Sequence, residues 1–145
     1  MIQPLIQWME HHLPTGCFYL AVDKHEDPRG RLSVLSNSLP HGFGIERIYY
    51  VDGLEVGVSR GSHAHLVQSQ ALFVMKGKIL VTLDDGRSSF SVKMAAHGPG
   101  LLLPRLIWAT IEAEEEGSLY LVMADGPYDR SEYISDYDEF KALKR

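Results

Sequence analysis

The sequence predicts an all-β fold built from antiparallel strands. Short runs rich in β-branched and aromatic residues recur at roughly ten-residue spacing, with turn residues between them. No helical segments alternate with these runs, which argues against a parallel sheet with crossover helices. The chain has 145 residues, the length of one domain. Together these observations predict a single antiparallel sandwich or barrel.

The two ends of the chain are predicted to differ from this β-rich body. Apolar residues at near-helical spacing predict a short N-terminal helix within residues 2–12. The C-terminal tail is polar with aromatic interruptions, and we expect it to end in a helix. We therefore predict an N-terminal extension over residues 1–17 and one β domain over residues 18–145.

Turn residues divide the body into its strands. The long run over residues 70–94 contains Lys76-Gly77 and Asp85-Gly86, which predict two successive hairpins. Asp-Gly is the stronger of the two signals, because this dipeptide adopts the tight turns that join antiparallel strands.

Composition and charge exclude several classes of protein. The net charge is −5 and no basic tract is present, whereas a protein that binds duplex nucleic acid needs a basic stripe. No apolar stretch reaches the roughly 20 residues of a membrane span, and the N-terminus has no signal-peptide pattern. Cys17 is the one cysteine, so an internal disulfide is excluded and a packing role is favoured. We expect a cytoplasmic protein with neither nucleic acid nor membrane as partner.

The sequence Arg60-Gly-Ser-His-Ala-His65 places two histidines two positions apart. In a strand, residues i and i+2 point to the same face, so His63 and His65 are expected to project together. Two adjacent imidazoles cannot both be protonated cheaply, and such a pair suits proton transfer near neutral pH. A purely structural pair, hydrogen-bonded in the core or exposed, remains open on these residues alone.

A metal site is tested by the spacing of its ligands. Metal-binding cupin barrels use His-x-His, a glutamate a few residues later, and a further histidine in a second motif. Here Gln70 stands at the glutamate position, and Trp108-Ala109 stands where the later histidine is expected. Two imidazoles alone make a poor site for iron, manganese or nickel. We therefore predict no metal.

Several segments together resemble the nucleotide-sugar 3,4-ketoisomerases, which are small cupins that act on dTDP-4-keto-6-deoxy-D-glucose. The resemblance covers about residues 20 to 143 and excludes residues 1–17. It rests on these segments: DPRGRL (27–32), IERIYYV (45–51), RGSHAH (60–65), Gln70, DDG (84–86), PRLIW (104–108) and YDRSEYISDYDEF (128–140).

This resemblance implies a cupin jelly roll, a homodimer that exchanges N-terminal strands, and an isomerase that uses neither metal nor cofactor. The implied reaction moves the hexose carbonyl from C4 to C3 through an enediolate, in the synthesis of deoxyamino sugars for surface glycans such as lipopolysaccharide, or for antibiotics. The chemistry itself needs a base at one ring carbon, an acid at the next, and donors for the enediolate oxygens.

By the same resemblance, three side chains are candidates for catalysis. His65 is assigned as the base at C3, and His63 as its partner toward C4 or the oxygens. Tyr49 matches the active-site tyrosine of the family and would donate a hydrogen bond to an enediolate oxygen. Its neighbour Tyr50 would face the other way if both lie in a strand.

Four further side chains are candidates for binding the nucleotide sugar. Arg29 and Arg60 match arginines that meet the charged end of the substrate, for which a guanidinium fork is suited. The alternative for each arginine is a surface salt bridge. Gln70 is expected to hydrogen-bond a histidine or a sugar hydroxyl. Trp108 is a candidate wall of the pocket, although a tryptophan in a barrel is more often part of the core.

One position departs from the family. Its members usually read Trp-His where this chain reads Trp108-Ala109. Ala109 leaves open an isomerase with altered rate, stereochemistry or substrate, and also a non-catalytic cupin that only binds a nucleotide sugar. An epimerase of the same sugar class and, last, a metal-dependent oxygenase are the remaining alternatives.

Overall fold

Strands dominate the protein, as the sequence predicts. The structure is a computed structural model that describes residues 13–145. A 3-10 turn occupies Ser36–Ser38, another occupies Arg130–Glu132, and a helix, α1, spans Tyr137–Leu143. The strands are β1 (Phe18–Leu20), β2 (Asp23–Asp27), β3 (Gly30–Val34), β4 (Arg47–Val51), β5 (Ser59–His65), β6 (Gln70–Lys76), β7 (Lys78–Asp84), β8 (Ser89–Ala95), β9 (Gly100–Leu103), β10 (Trp108–Ala113), β11 (Leu119–Ala124) and β12 (Tyr133–Ile134).

Two five-stranded sheets form the body. The first has the order β1-β9-β6-β11-β4 and the second has the order β12-β5-β10-β7-β8. Within residues 13–145, β2 and β3 pair only with each other. All pairings between these strands are antiparallel. The predicted all-β, antiparallel jelly-roll architecture is confirmed.

The core lies between the two sheets. Strand β7 shows how it forms, because its alternate residues Ile79, Val81 and Leu83 are each 0 % exposed and face the opposite sheet. Burying one such side chain contributes about 1.5–3 kcal/mol. Strand β6 is apolar on both faces: Leu72 faces this core, and Phe73 packs in a second cluster with Leu20 and Leu102.

One of the two predicted hairpins is correct. Strands β7 and β8 pair across Asp85-Gly86, as predicted. The prediction at Lys76-Gly77 is wrong, because β6 belongs to the first sheet and β7 to the second. Gly77 has a φ of +79°, and a Cβ there would lie 2.2 Å from Oγ of Ser118. The glycine is therefore needed for a crossing between the sheets.

The predicted C-terminal helix is confirmed as α1. The Asp136 side chain accepts a hydrogen bond from the backbone N–H of Glu139 and so caps its first turn. Phe140 is 0 % exposed and packs with Ala64 and Ile134. The helix therefore fastens the tail against the second sheet, directly behind the histidine strand β5.

The predicted N-terminal helix over residues 2–12 lies outside the described residues. Leu13 and Cys17 are buried and join the main core, and the domain boundary at residue 17 stays a prediction. Burial raises the pKa of the Cys17 thiol to about 12, which fits a packing role. Within residues 13–145, no helix is both long and apolar enough to cross a membrane.

Candidate active site

A cavity of about 400 Å³ lies between the inner faces of the two sheets. Leu72, Leu103, Ile111 and Val122 supply apolar walls. Four of the polar lining residues lie on β4 and β5, namely Arg47, Tyr49, Arg60 and His63. The cavity is of the size that takes a small organic ligand.

An irregularity in β5 places His63 on this cavity. His63 pairs with Ala109 and Gly61 pairs with Thr110, so Ser62 is an extra residue without a cross-strand partner. Gly61 and Ser62 have φ values of +86° and +57°. Such a bulge re-aims the side chains that follow it. His63 and Ala109 both line the cavity as a result.

The two histidines of the motif are in ring contact. The ring centroids of His63 and His65 lie 5.0 Å apart at an interplanar angle of 80°. Burial lowers the pKa of His63, and the neighbouring His65 lowers it further. His63 therefore stays neutral near pH 7, as the sequence argument for paired imidazoles requires.

His65 lies deeper than His63 and is held by a carboxylate. His65 is 6 % exposed, and its Nδ1 is hydrogen-bonded to Oε2 of Glu132, which is 4 % exposed. The Nε2 atom of His65 is buried and has no hydrogen-bond partner in the described part of the chain. Its ring packs against His63 and Tyr133, which both line the cavity.

Tyr133 joins the two histidines into one cluster. Its ring centroid lies 4.9 Å from that of His63 and 4.5 Å from that of His65. Strand β12 creates this contact, because Tyr133 is the cross-strand partner of His65. Sequence reasoning gave no role to Tyr133 or Glu132. Their one signal was the RSEY segment within the tail that carries the resemblance.

Tyr49 and Gln70 meet on the opposite sheet. The Gln70 Nε2 donates to the Tyr49 hydroxyl at 3.3 Å, and both residues line the cavity. Burial raises the pKa of Tyr49 to about 12, so the phenol keeps its proton and can donate it in a hydrogen bond. Tyr50 points to the outside and is 66 % exposed, as strand alternation predicts.

Two arginines line the cavity without an acidic partner. Among residues 13–145, neither Arg47 nor Arg60 has a carboxylate oxygen within 4.0 Å. The guanidinium of Arg47 packs over the rings of Tyr49 and Tyr128, and its buried Nε and Nη1 have no hydrogen-bond partner among the described residues. Arg60 lies beside Tyr120, whose phenol pKa it lowers against the larger effect of burial. Arg47, which the sequence reasoning missed, completes a positively charged lining.

The structure does not bring Trp108 and Arg29 to the cavity. Trp108 packs against Tyr137 and Phe140 of α1, at centroid distances of 5.3 and 5.6 Å. Its neighbour Ala109 faces the cavity, so strand alternation turns Trp108 to the outer face, contrary to the expectation that it forms a wall. Arg29 lies in the turn between β2 and β3 with a side chain that is 90 % exposed, and it pairs with Asp27. Its contact with substrate stays a prediction.

The described residues contain no group of three or more His, Cys, Asp or Glu side chains placed to hold a metal. Glu132 already occupies Nδ1 of His65, and Gln70 offers a neutral amide. The reaction without metal stays a prediction.

Comparisons with known proteins show the family of this chain. The family described as "FdtA: WxcM-like, C-terminal" matches residues 15–145. The chain belongs to this family. It is 30 % identical over 115 residues to a TDP-4-oxo-6-deoxy-alpha-D-glucose-3,4-oxoisomerase from Aneurinibacillus thermoaerophilus, which covers 79 % of this chain and 83 % of that protein.

Two crystal structures of similar proteins share the fold. A 3,4-ketoisomerase from Helicobacter canadensis superposes with a TM-score of 0.84 and 33 % identity, over 90 % of this chain and 98 % of that one. The TDP-quinovose 3,4-ketoisomerase from Campylobacter jejuni superposes with a TM-score of 0.82 and 30 % identity, over 89 % and 99 %. The similarity therefore spans the whole β domain.

Proposed function

We propose that this protein is a TDP-sugar 3,4-ketoisomerase, which moves the carbonyl of a TDP-4-keto-6-deoxyhexose from C4 to C3 without a metal or cofactor. The single observation that carries the proposal is the cluster of His63, His65 and Tyr133: His63 and Tyr133 line the cavity, and His65 packs behind them with an imidazole nitrogen that has no hydrogen-bond partner among residues 13–145. The activities named for the similar proteins support the substrate class.

The proposed reaction is a transfer of protons and needs no oxidant. The Nε2 of His65 takes the proton from C3, and the electron pair of that bond forms the C3–C4 double bond of an enediolate whose charge rests on O4. The 3-hydroxyl then loses its proton and O4 gains one. A proton returned to C4 leaves the carbonyl at C3. Because the substrate and product are isomers, every atom and electron is accounted for.

The donors on both sheets suit the enediolate. Preorganised hydrogen-bond donors in a site shielded from water stabilise the developing negative charge, which is usually the largest catalytic effect. The Tyr49 phenol is protonated, and its oxygen already receives the Gln70 amide, so its own hydrogen is available for a sugar oxygen. Tyr49 therefore faces the cavity from the first sheet, while His63 faces it from the second with His65 packed behind it.

Arg47 and Arg60 are proposed to hold the diphosphate. Both guanidinium groups line the cavity and neither is neutralised by a carboxylate in the described part of the chain. A guanidinium presents paired donors that match phosphate oxygens. The protein as a whole carries a charge of −5, so these two guanidinium groups give the cavity a positive charge that the net charge does not predict.

The test is incubation with TDP-4-keto-6-deoxyglucose in deuterated water, followed by NMR. The proposal expects deuterium to enter the sugar at the carbon that gains the proton, together with a new 3-keto product. Elemental analysis and turnover after exhaustive chelation test the metal-free reaction. Lack of both exchange and product at high protein concentration overturns the proposal.

A non-catalytic binding protein is the second candidate, and Ala109 is the observation that favours it. Ala109 lies across from His63, where a methyl group supplies no proton donor or acceptor. Calorimetric binding of the nucleotide sugar without proton exchange identifies such a protein. An epimerase is recognised from the same NMR experiment, because it inverts a carbon and leaves the carbonyl at C4.

We further propose a homodimer. Ile48 and Tyr50 on the outer face of β4 are 57 % and 66 % exposed, and Leu32 on the β2–β3 hairpin is 63 % exposed. Exposed apolar patches of this kind mark protein interfaces. Light scattering on the intact chain is expected to give twice the monomer mass, and Tyr50→Glu is expected to reduce it.

The substrate class and the lone cysteine support a cytoplasmic enzyme of deoxyamino-sugar synthesis for surface glycans such as lipopolysaccharide.

A further inference from the structure

Glu132 is a buried carboxylate to which the proposed reaction assigns no role. It is 4 % exposed and lies in the 3-10 turn just before β12. Its Oε2 accepts from Nδ1 of His65, and its Oε1 accepts from the backbone N–H groups of Val67 at 3.3 Å and Gln68 at 3.0 Å. Three donors thus converge on one carboxylate, which offsets the cost of burying its charge.

This contact decides which nitrogen of His65 carries the hydrogen. An ionised carboxylate only accepts hydrogen bonds, so Nδ1 must be the protonated nitrogen of the neutral ring. The lone pair then lies on Nε2, the buried atom for which residues 13–145 supply no hydrogen-bond partner. A histidine whose second nitrogen is bonded in this way is held in one tautomer and one ring orientation by its partner.

We propose that Glu132 is the positioning residue of the isomerisation: it holds His65 in the Nδ1–H tautomer, so that Nε2 takes the proton from C3. This inference rests on the proposed function. When Nε2 gains the proton, the imidazolium lies against the carboxylate, which stabilises its charge inside the protein. His63 and Tyr133, the other titratable groups in ring contact with His65, supply no negative charge while neutral.

Strand pairing keeps this arrangement rigid. Tyr133 pairs with His65 across β12 and β5, and Glu132 directly precedes Tyr133. The backbone N–H of Leu66 also donates to the carbonyl of Glu132 at 2.8 Å. The carboxylate of Glu132 and the imidazole of His65 therefore lie on two backbone segments that are held together by strand pairing and by this additional hydrogen bond.

If Glu132 only anchored a loop, its substitution would have the same effect as the loss of another loop anchor. The chain contains such an anchor, which serves as a matched control. Glu132 also holds the loop over residues 66–69 through its two backbone contacts. Asp125 holds the same loop, because its Oδ1 accepts from the N–H of Ser69 at 2.8 Å, and it has no hydrogen bond to a histidine among the described residues. Loss of loop anchoring alone should therefore affect Glu132→Gln and Asp125→Asn alike.

The experiment compares the wild-type chain, Glu132→Gln and Asp125→Asn by histidine ¹⁵N NMR and by steady-state kinetics. Glutamine keeps an oxygen for Val67 and Gln68 but loses the negative charge. We expect Glu132→Gln to lose the Nδ1–H tautomer of His65 and to lower kcat by about 10²-fold or more, with KM within about threefold. Asp125→Asn is expected to change neither. If Glu132→Gln fails to fold, Glu132→Asp replaces it in the comparison. This variant keeps the charge, so we expect it to retain the tautomer, with a kcat between the wild-type value and a loss of about 10²-fold.

Two results overturn the inference: an unchanged tautomer and kcat in Glu132→Gln, or equal losses in both variants. A wild-type protein that does not act on the ketosugar overturns the proposed function instead. In that case the NMR spectra alone decide whether Glu132 positions His65, and the wild-type Nε2–H tautomer counts against it.

Discussion

Ala109 and His63 lie directly opposite each other on neighbouring antiparallel strands, and both line the cavity. Cβ atoms of such cross-strand partners are about 4.5–5.5 Å apart. The methyl group of Ala109 therefore sets how much room a ligand has beside the His63 ring. Trp108 and Thr110, on either side of it, do not line the cavity.

Enlarging residue 109 is expected to weaken substrate binding. Ala109→Leu fills the space beside His63, and overpacking of this kind costs about 1–3 kcal/mol, which corresponds to a rise in KM of about 5- to 150-fold. Thr110→Val changes the next residue and is expected to leave KM unchanged. Titration calorimetry and initial rates measure both variants. Equal affinities for wild type and Ala109→Leu would place the sugar elsewhere.

Substitution of His65 and substitution of His63 are expected to impair different steps of the proposed reaction. His65→Asn removes the base, so hydrogen exchange at C3 and formation of the 3-keto sugar both fall by about 10²–10⁴-fold. His63→Asn leaves that base in place, and we expect exchange at C3 to survive better than product formation. NMR in deuterated water follows both events in one sample. The reverse pattern would exchange the roles of His63 and His65.

The pH dependence of stability is expected to reveal the buried state of His63. Burial lowers its pKa in the folded protein below the usual 6.5, so the unfolded chain binds more protons just below that pH. The free energy of unfolding therefore falls as pH drops from 6.5 toward the folded pKa. Urea titrations between pH 7.5 and 5 should show a smaller fall in His63→Asn than in wild type. Parallel curves would show that His63 is not desolvated.

The alternation of side chains along a strand predicted those parts of the candidate site in which the residues belong to one strand. The alternation of side chains placed His63 and His65 together and separated Tyr49 from Tyr50, because strand geometry acts over two residues. Glu132 is 67 residues from His65 in the chain. Only the pairing of β12 with β5 brings them together, and no local signal encodes that pairing. Arg47 was missed for a related reason: only the folded chain shows that Arg47 lines the cavity and that no carboxylate of residues 13–145 pairs with it.

The two glycine turns show the same limit. Asp85-Gly86 and Lys76-Gly77 both join β-rich runs, but only the first closes a hairpin. A turn sequence specifies a local reversal or crossing, whereas the sheet that the next strand joins depends on distant partners. For β7 those partners are β8 and β10.

Trp108 is expected to act in stability and not in binding. It packs on the C-terminal helix through Tyr137 and Phe140, so Trp108→Ala leaves a gap under α1. Because Trp108 is half-buried, we expect a loss of about 2 kcal/mol, below the 3–5 kcal/mol of a fully buried aromatic residue. Urea denaturation measures the loss, and KM should stay within about twofold. A raised KM at unchanged stability would restore Trp108 as a wall of the pocket.

Arg47 is expected to carry much of the affinity for the diphosphate. Its buried Nε and Nη1 have no hydrogen-bond partner in the part of the chain that the structure describes, and a hydrogen bond to a charged group contributes about 1.5–3 kcal/mol. Arg47→Leu should therefore weaken the binding of TDP by about 10- to 100-fold. Arg87→Leu removes the same charge from the turn between β7 and β8 and separates a local contact from a general electrostatic effect. Calorimetry of TDP binding at low and moderate salt compares the two variants. If both lose affinity equally, and salt abolishes the loss, the cavity attracts the anion only through long-range charge and Arg47 makes no direct contact.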